Sequence, residues 1–199
     1  MVKSNLLSLA SVLAEIEQMP RYINRFHSVK KINEVTPFRW MMGLKIKMPF
    51  LIDNREVVGA GFCILDEEAN SIMCPFKSIM NQEKYMNFNV PPEDYYFKRI
   101  DMKFGYMHIN PIDEKSCEIS IAFNVDPKVP FIPWVVLNKF MKEAAYYIML
   151  EFKNQIERLD KETFLKKINE RKEFYSLIFT RLKVLQKYNP KLFQDVTNF

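Results

Sequence analysis

A chain of 199 residues, 48% of them hydrophobic, can bury one sizeable core, and its length favours one domain with an appendage. The formal charge of +5 lies wholly in the C-terminal part: residues 1–157 carry 19 basic and 19 acidic side chains, residues 158–199 carry 10 and 5. A neutral body argues against a grip on a polyanion, so no nucleic acid partner is expected, and apolar runs such as WVVLNKFM end well short of the ~20 residues of a membrane-spanning helix.

In chain order, NLLSLASVLAEIEQM at 5–19 puts Leu6, Leu9, Ala10 and Leu13 on one side with Ser4 as N-cap, which predicts an amphipathic helix. It runs into acids rather than a small-residue cleavage site, so it is not read as a signal peptide and the chain is expected in the cytoplasm. Pro20 ends this helix or starts a short one, PRYINRF. FRWMMGLKIKM alternates as a strand ended by Pro49. From Val57 the next strand sets Val58, Ala60, Phe62 and Ile64 on one face and Val57, Gly59, Gly61 and Cys63 on the other. Two glycines on one face of a strand mark a bulge, a bend, or the close approach of another backbone or a ligand.

DEEAN is a polar turn, and SIMCPFKSI returns as the antiparallel partner. Pro91 and Pro92 predict an irregular loop over 80–95, and YFKRIDMKFGYMHI and SCEISIAFNVD are two long strands joined around NPIDEK. The sum is about six antiparallel strands in meander order. Pro133 then opens an unbroken helix with Trp134, Leu137, Met141, Ala145 and Ile148 at helical spacing. Val135, Val136, Phe140 and Tyr147 widen that stripe, so this helix is either buried between the sheet and another segment or closes a lipophilic cavity. The tail sets Phe164, Leu165, Ile168, Tyr175, Ile178, Leu182 and Leu185 beside Lys166, Lys167, Arg171, Lys172 and Arg181, a pattern of a helix packed on the domain or lying on anionic membrane.

Catalytic chemistry has little material. Cys63, Cys74 and Cys117 are odd in number and set in strand-like surroundings, which suits reduced, buried thiols rather than disulfides. With only His27 and His108, no CxxC or HExxH, and no glycine-rich phosphate loop, neither a metal nor another cofactor is expected, and the chain is not read as an enzyme.

Three segments resemble the StAR-related lipid transfer (START) domains. KMPFLIDNREVV is similar to their strand, proline, NRD or PRD, strand signature through Lys47, Pro49, Phe50, Asn54, Arg55 and Val58, with Glu56 for the usual Asp, a variant most similar to the phosphatidylcholine-transfer branch. KRIDMKFGYMHINP matches through Arg99 and Pro111, and NVDPKVPFIPWVVLN through Asp126, Pro133 and Asn138. The resemblance covers about residues 6–157 and implies an α+β helix-grip fold, a curved antiparallel sheet closed by a long helix, over 1–157, with a basic helical tail over 158–199.

The resemblance implies a non-catalytic carrier of a phospholipid or sterol-like lipid, in a cavity closed by the helix 133–157 and opening on transient contact with a membrane. Met42, Val57, Gly59, Gly61, Cys63, Arg99, Trp134, Leu137, Met141, Ala145 and Ile148 are the expected lipid-binding residues. Arg55 and Arg99 also suit structural roles, capping a loop or pairing with an acid. Many members carry a cavity arginine where this chain has Gly61, and an acid near the position of Met42. The helix and strands that normally precede the segment matching Leu6 have no counterpart, so the strand at 117–126 is expected to keep an unpaired edge. The alternative is a protein-interaction module that keeps this fold without lipid transfer.

Overall fold

The computed structural model describes residues 1–4, 6–48, 52–113, 115–158, 166 and 168–188. Pro49 and Phe50 of the signature, and Phe164, Leu165 and Lys167 of the tail, lie outside them. Helix α1 (Leu6–Ala14) leads through a 3-10 turn (Ile16–Arg21) into strands β1 (Phe26–Thr36), β2 (Arg39–Ile46), β3 (Asn54–Phe62), β4 (Ile64–Asp66) and β5 (Ser71–Ser78). A small hairpin, β6 (Lys84–Tyr85) and β7 (Phe88–Asn89), precedes β8 (Phe97–Arg99), β9 (Asp101–Asp113) and β10 (Ser116–Asp126). Helices α2 (Trp134–Glu157) and α3 (Lys172–Tyr188) follow.

The main sheet runs β1-β2-β3-β5-β9-β10 with every neighbour antiparallel. One parallel pairing departs from the expected meander. β8 lies along Asn54–Glu56, in the stretch of β3 that β5 does not reach. β1 is a strand absent from the sequence reading, which assigns no element to residues 27–36. Its apolar content is thin because it is an edge strand in which only Val29 is fully buried. The 3-10 turn also ends α1 before residue 19, with Pro20 in a turn where its missing N–H costs little.

β10 pairs with β9 along its length, and its other edge is met by Val2, whose N–H and C=O exchange bonds with Cys117 at 2.8 and 3.0 Å. Beyond that bridge, residues 118–126 have no second strand partner among the described residues.

The expectation of three reduced cysteines is corrected: Cys63 and Cys74 form a disulfide, while Cys117 is a buried free thiol. The hairpin register explains the bond. It runs from Gly59 opposite Ser78 to Asp66 opposite Ser71, which makes Cys63 and Cys74 facing cross-strand neighbours. The loop over 80–95 is likewise not wholly irregular, since β6 and β7 pair within it.

Two apolar clusters flank the sheet. On one face Met41, Val58 and Ile79 meet Val90, with Tyr85 and Phe88 of the β6–β7 hairpin against them. On the other, Leu6, Leu9 and Val12 of α1, Ile109 and Cys117 of the sheet, Phe152 and Ile156 of α2, and Tyr175, Ile178, Leu182 and Leu185 of α3 form one continuous core. Burying each such aliphatic side chain is worth about 1.5–3 kcal/mol, so α3 stabilises the fold through the same core as α1 and the C-terminal half of α2. Among the described residues no helix is long and apolar enough to cross a membrane, which says nothing of β-barrels.

Candidate functional site

A cavity of about 410 Å³ opens between α1, α3 and the sheet. Leu6, Ala10 and Leu13 of α1 face Ile72 and Ile109 of the sheet across it, and Ile178 and Leu182 of α3 close it. Trp40, Phe38 and the Cys63–Cys74 disulfide complete a mostly apolar wall. Its charged groups are Lys31, Glu67 and Arg181, all in contact with solvent. Lys31 is held by Glu34 at 3.2 Å.

α3 is fastened to the end of α1 by a polar clasp. Arg171 Nη1 donates to Glu15 Oε1 at 2.7 Å, and the hydroxyl of the fully buried Tyr175 reaches the same oxygen at 3.4 Å. Burial first, and the Glu15 carboxylate second, raise the Tyr175 pKa above its ordinary value. Behind the same wall, burial pushes the Cys117 thiol up to about 12, so it is a protonated packing group and not a nucleophile.

The expected lining residues are only partly brought together. Cys63 borders the cavity, and Gly61 stands beside Trp40 in the β2–β3 register, on the same face. Of the meanings open to these glycines, the structure shows the close approach of the neighbouring strand. A Cβ on Gly59 would lie 2.6 Å from the carbonyl oxygen of Lys77, and one on Gly61 would lie 3.1 Å from Phe76 Cβ and Pro75 O. The ring of Phe76 passes over Gly105, where an added Cβ would lie 2.4 Å from it. The glycines admit the neighbouring strand and its Phe76, the close-approach reading of a strand glycine.

Val57 is buried and Met42 half-buried beside this packing, opposite Leu44 and Gly59 respectively, and neither borders the cavity.

Arg99 is spent on the fold. Its Nε and Nη2 donate to Glu56 Oε1 at 3.0 and 2.7 Å, and Nη1 and Nη2 also donate to the carbonyls of Pro91 and Pro92. Pair and loop carbonyls together compensate the desolvation of two charges. Arg55, also buried, caps the approach to α2: Nε donates to the Pro127 carbonyl at 2.7 Å and Nη2 to that of Lys128 at 3.1 Å. Burial lowers its pKa from the ordinary value, partly offset by the Asp53 charge.

The helix expected as lid, α2, contributes no residue to the wall of this cavity. Phe152 and Ile156 in its C-terminal half are buried, Glu151 accepts from the Asn24 side chain at 2.9 Å, and Ile148 packs on the core. In the N-terminal half Leu137 is buried, Met141 and Ala145 are half-buried, and Trp134 is 67% exposed. The position over the sheet beside α1 is taken by α3, whose buried residues fall on one side of the helix. The sequence reading missed Trp40, Phe38 and the α1 residues as cavity lining. A usable signal was the α1 stripe itself, in which Ala10 is small where a larger side chain would fill the space.

No family model matches the sequence, and no curated protein matches it. Solved structures do. The human STARD10 structure aligns with a TM-score of 0.69 at 19% identity over 85% of this chain. Human StAR-related lipid transfer protein 5 gives 0.65 at 12% identity, over 79% of this chain and 72% of that one. A STAR-related lipid transfer protein from Xanthomonas axonopodis gives 0.63 at 12%, over 79% and 82%. The chain spans 64% of the STARD10 structure. At these identities the likeness shows the fold: an α+β helix-grip fold of the START type, with an antiparallel sheet, a long helix α2 and a helical tail.

Proposed function

We propose that this protein is a non-catalytic lipid binder that carries its ligand through the cytoplasm, in the cavity between α1, α3 and the sheet. The observation that carries the reading is that cavity: mostly apolar, about 410 Å³, and set in a fold shared with structures named for lipid transfer. Hiding an acyl chain from water is worth about 0.8 kcal/mol per methylene, so such a wall suffices for binding with few polar contacts. The likeness of Asn54, Arg55 and Glu56 to the phosphatidylcholine-transfer branch is one of framework, since Arg55 and Glu56 both hold loops.

Transient membrane contact is the second part of the proposal. Phe131 is fully exposed with φ at 69°, a left-handed conformation unfavourable for an aromatic residue, next to the exposed Trp134 and the 79% exposed Val135. Apolar side chains grouped at a loop tip, tryptophan among them, suit a bilayer interface. The test is to extract lipid from freshly purified protein and to measure lipid movement between vesicles. Bound lipid and accelerated transfer are expected; their joint absence would contradict the reading.

A specific observation favours one alternative, a protein-binding surface. Val136, Tyr146 and Tyr147 of α2 are exposed, and the β10 edge is paired at only one point beyond β9 among the described residues. Size-exclusion chromatography with light scattering decides: a stable monomer without a partner weakens this alternative, and a discrete oligomer strengthens it.

A further inference from the structure

Resting on the lipid-binding reading, we infer that the ligand is a single-chain amphiphile with an anionic head, a long-chain carboxylate in its simplest form, held at the cavity mouth by Arg181. The first argument is size. A volume of about 410 Å³ is near the lower end of the about 300–1,000 Å³ of small-molecule sites. That is the scale of one acyl chain, and small for the two chains of a diacyl phospholipid.

The second argument is charge. Of the charged groups on the cavity wall, Lys31 is already engaged by Glu34, which leaves Arg181 as the cation able to meet an anionic head. Arg181 has no acidic partner among the described residues, and its planar guanidinium suits a carboxylate in a two-pronged contact. A third feature agrees. The indole N–H of Trp40, in the same wall, is buried with no acceptor among the described residues, and an oxygen-bearing head group would supply one. The ligand end recognised here therefore needs acceptors and negative charge, while the remainder of the cavity asks only for hydrocarbon.

The test uses the full chain, stripped of lipid, with cis-parinaric acid as fluorescent single-chain probe. Hexadecanoate, hexadecanol, a diacyl phosphatidylcholine and cholesterol serve as competitors. Hexadecanoate is expected to displace the probe at one molecule per chain and to bind up to about fivefold more tightly than hexadecanol. Arg181→Gln should remove that preference, and Trp40→Phe should weaken hexadecanoate by a smaller factor. An undiminished preference in Arg181→Gln overturns the head-group assignment. Binding of phosphatidylcholine or cholesterol without hexadecanoate overturns the single-chain assignment and leaves the lipid-binding reading standing. Binding of none of the four defeats both.

Discussion

Helices α2 and α3 both follow the sheet, and they use their apolar residues in opposite ways. α2 carries them around most of its circumference, and much of its N-terminal half meets solvent. α3 is less apolar overall, yet Tyr175, Ile178, Leu182 and Leu185 recur at three- and four-residue steps on one side, and all four are buried in the core. A narrow stripe specifies a docking direction, whereas a broad distribution specifies none. The helix that reads as an accessory tail therefore closes the cavity, and the helix that reads as a lid is only half engaged with the core.

The sharpest way to break this contrast is to remove the anchor of α3. Tyr175→Ala deletes a fully buried aromatic ring and should cost about 3–5 kcal/mol in urea denaturation; a loss below about 1 kcal/mol would mean that α3 is not part of the core. Alkaline pH probes the same core without mutation. Because Cys117 titrates at about 12 in the folded chain against 9.0 for an ordinary thiol, and Tyr175 is also raised, the contribution of these two groups is constant below about pH 9 and is lost as pH climbs toward 12. Melting curves at stepped pH should show that decline, with Cys117→Ala lessening it.

Much of the fold was legible in the sequence: α1, α2, the β3–β5 hairpin and the long β9–β10 pair follow from periodicity and turn chemistry. The disulfide was not read: cysteine count and spacing argue against it, although the hairpin centred on the turn at 67–70 places Cys63 across from Cys74. β1 was not, because an edge strand that fully buries one residue carries almost no apolar signal. Nor was the location of the cavity. It depends on which helix occupies the space beside α1, a contest between tertiary partners that single-segment patterns do not record. The face bearing Gly61 and Cys63 was identified, but the occupant of the gap, Phe76, comes from the neighbouring strand.

Smaller effects refine the comparison. Arg171→Ala loosens the clasp to Glu15, and at a partly exposed site it should cost only about 0.2–1 kcal/mol while speeding ligand release, measured by dilution of a bound fluorescent lipid. Trp134→Ala should alter stability by less than about 0.5 kcal/mol, yet reduce sedimentation with vesicles. A large stability loss there would mean that the exposed half of α2 is packed after all.

The central claim is that ligand lies against α1 and α3 rather than under α2. Native mass spectrometry of freshly purified chains tests it most directly, comparing Ala10→Phe, which fills the cavity wall, with Ala145→Phe, which enlarges α2 at a half-buried position away from it. With both variants folded by circular dichroism, the account predicts one bound lipid on the wild type and on Ala145→Phe, and none on Ala10→Phe. Lipid retained by Ala10→Phe and lost from Ala145→Phe would contradict it.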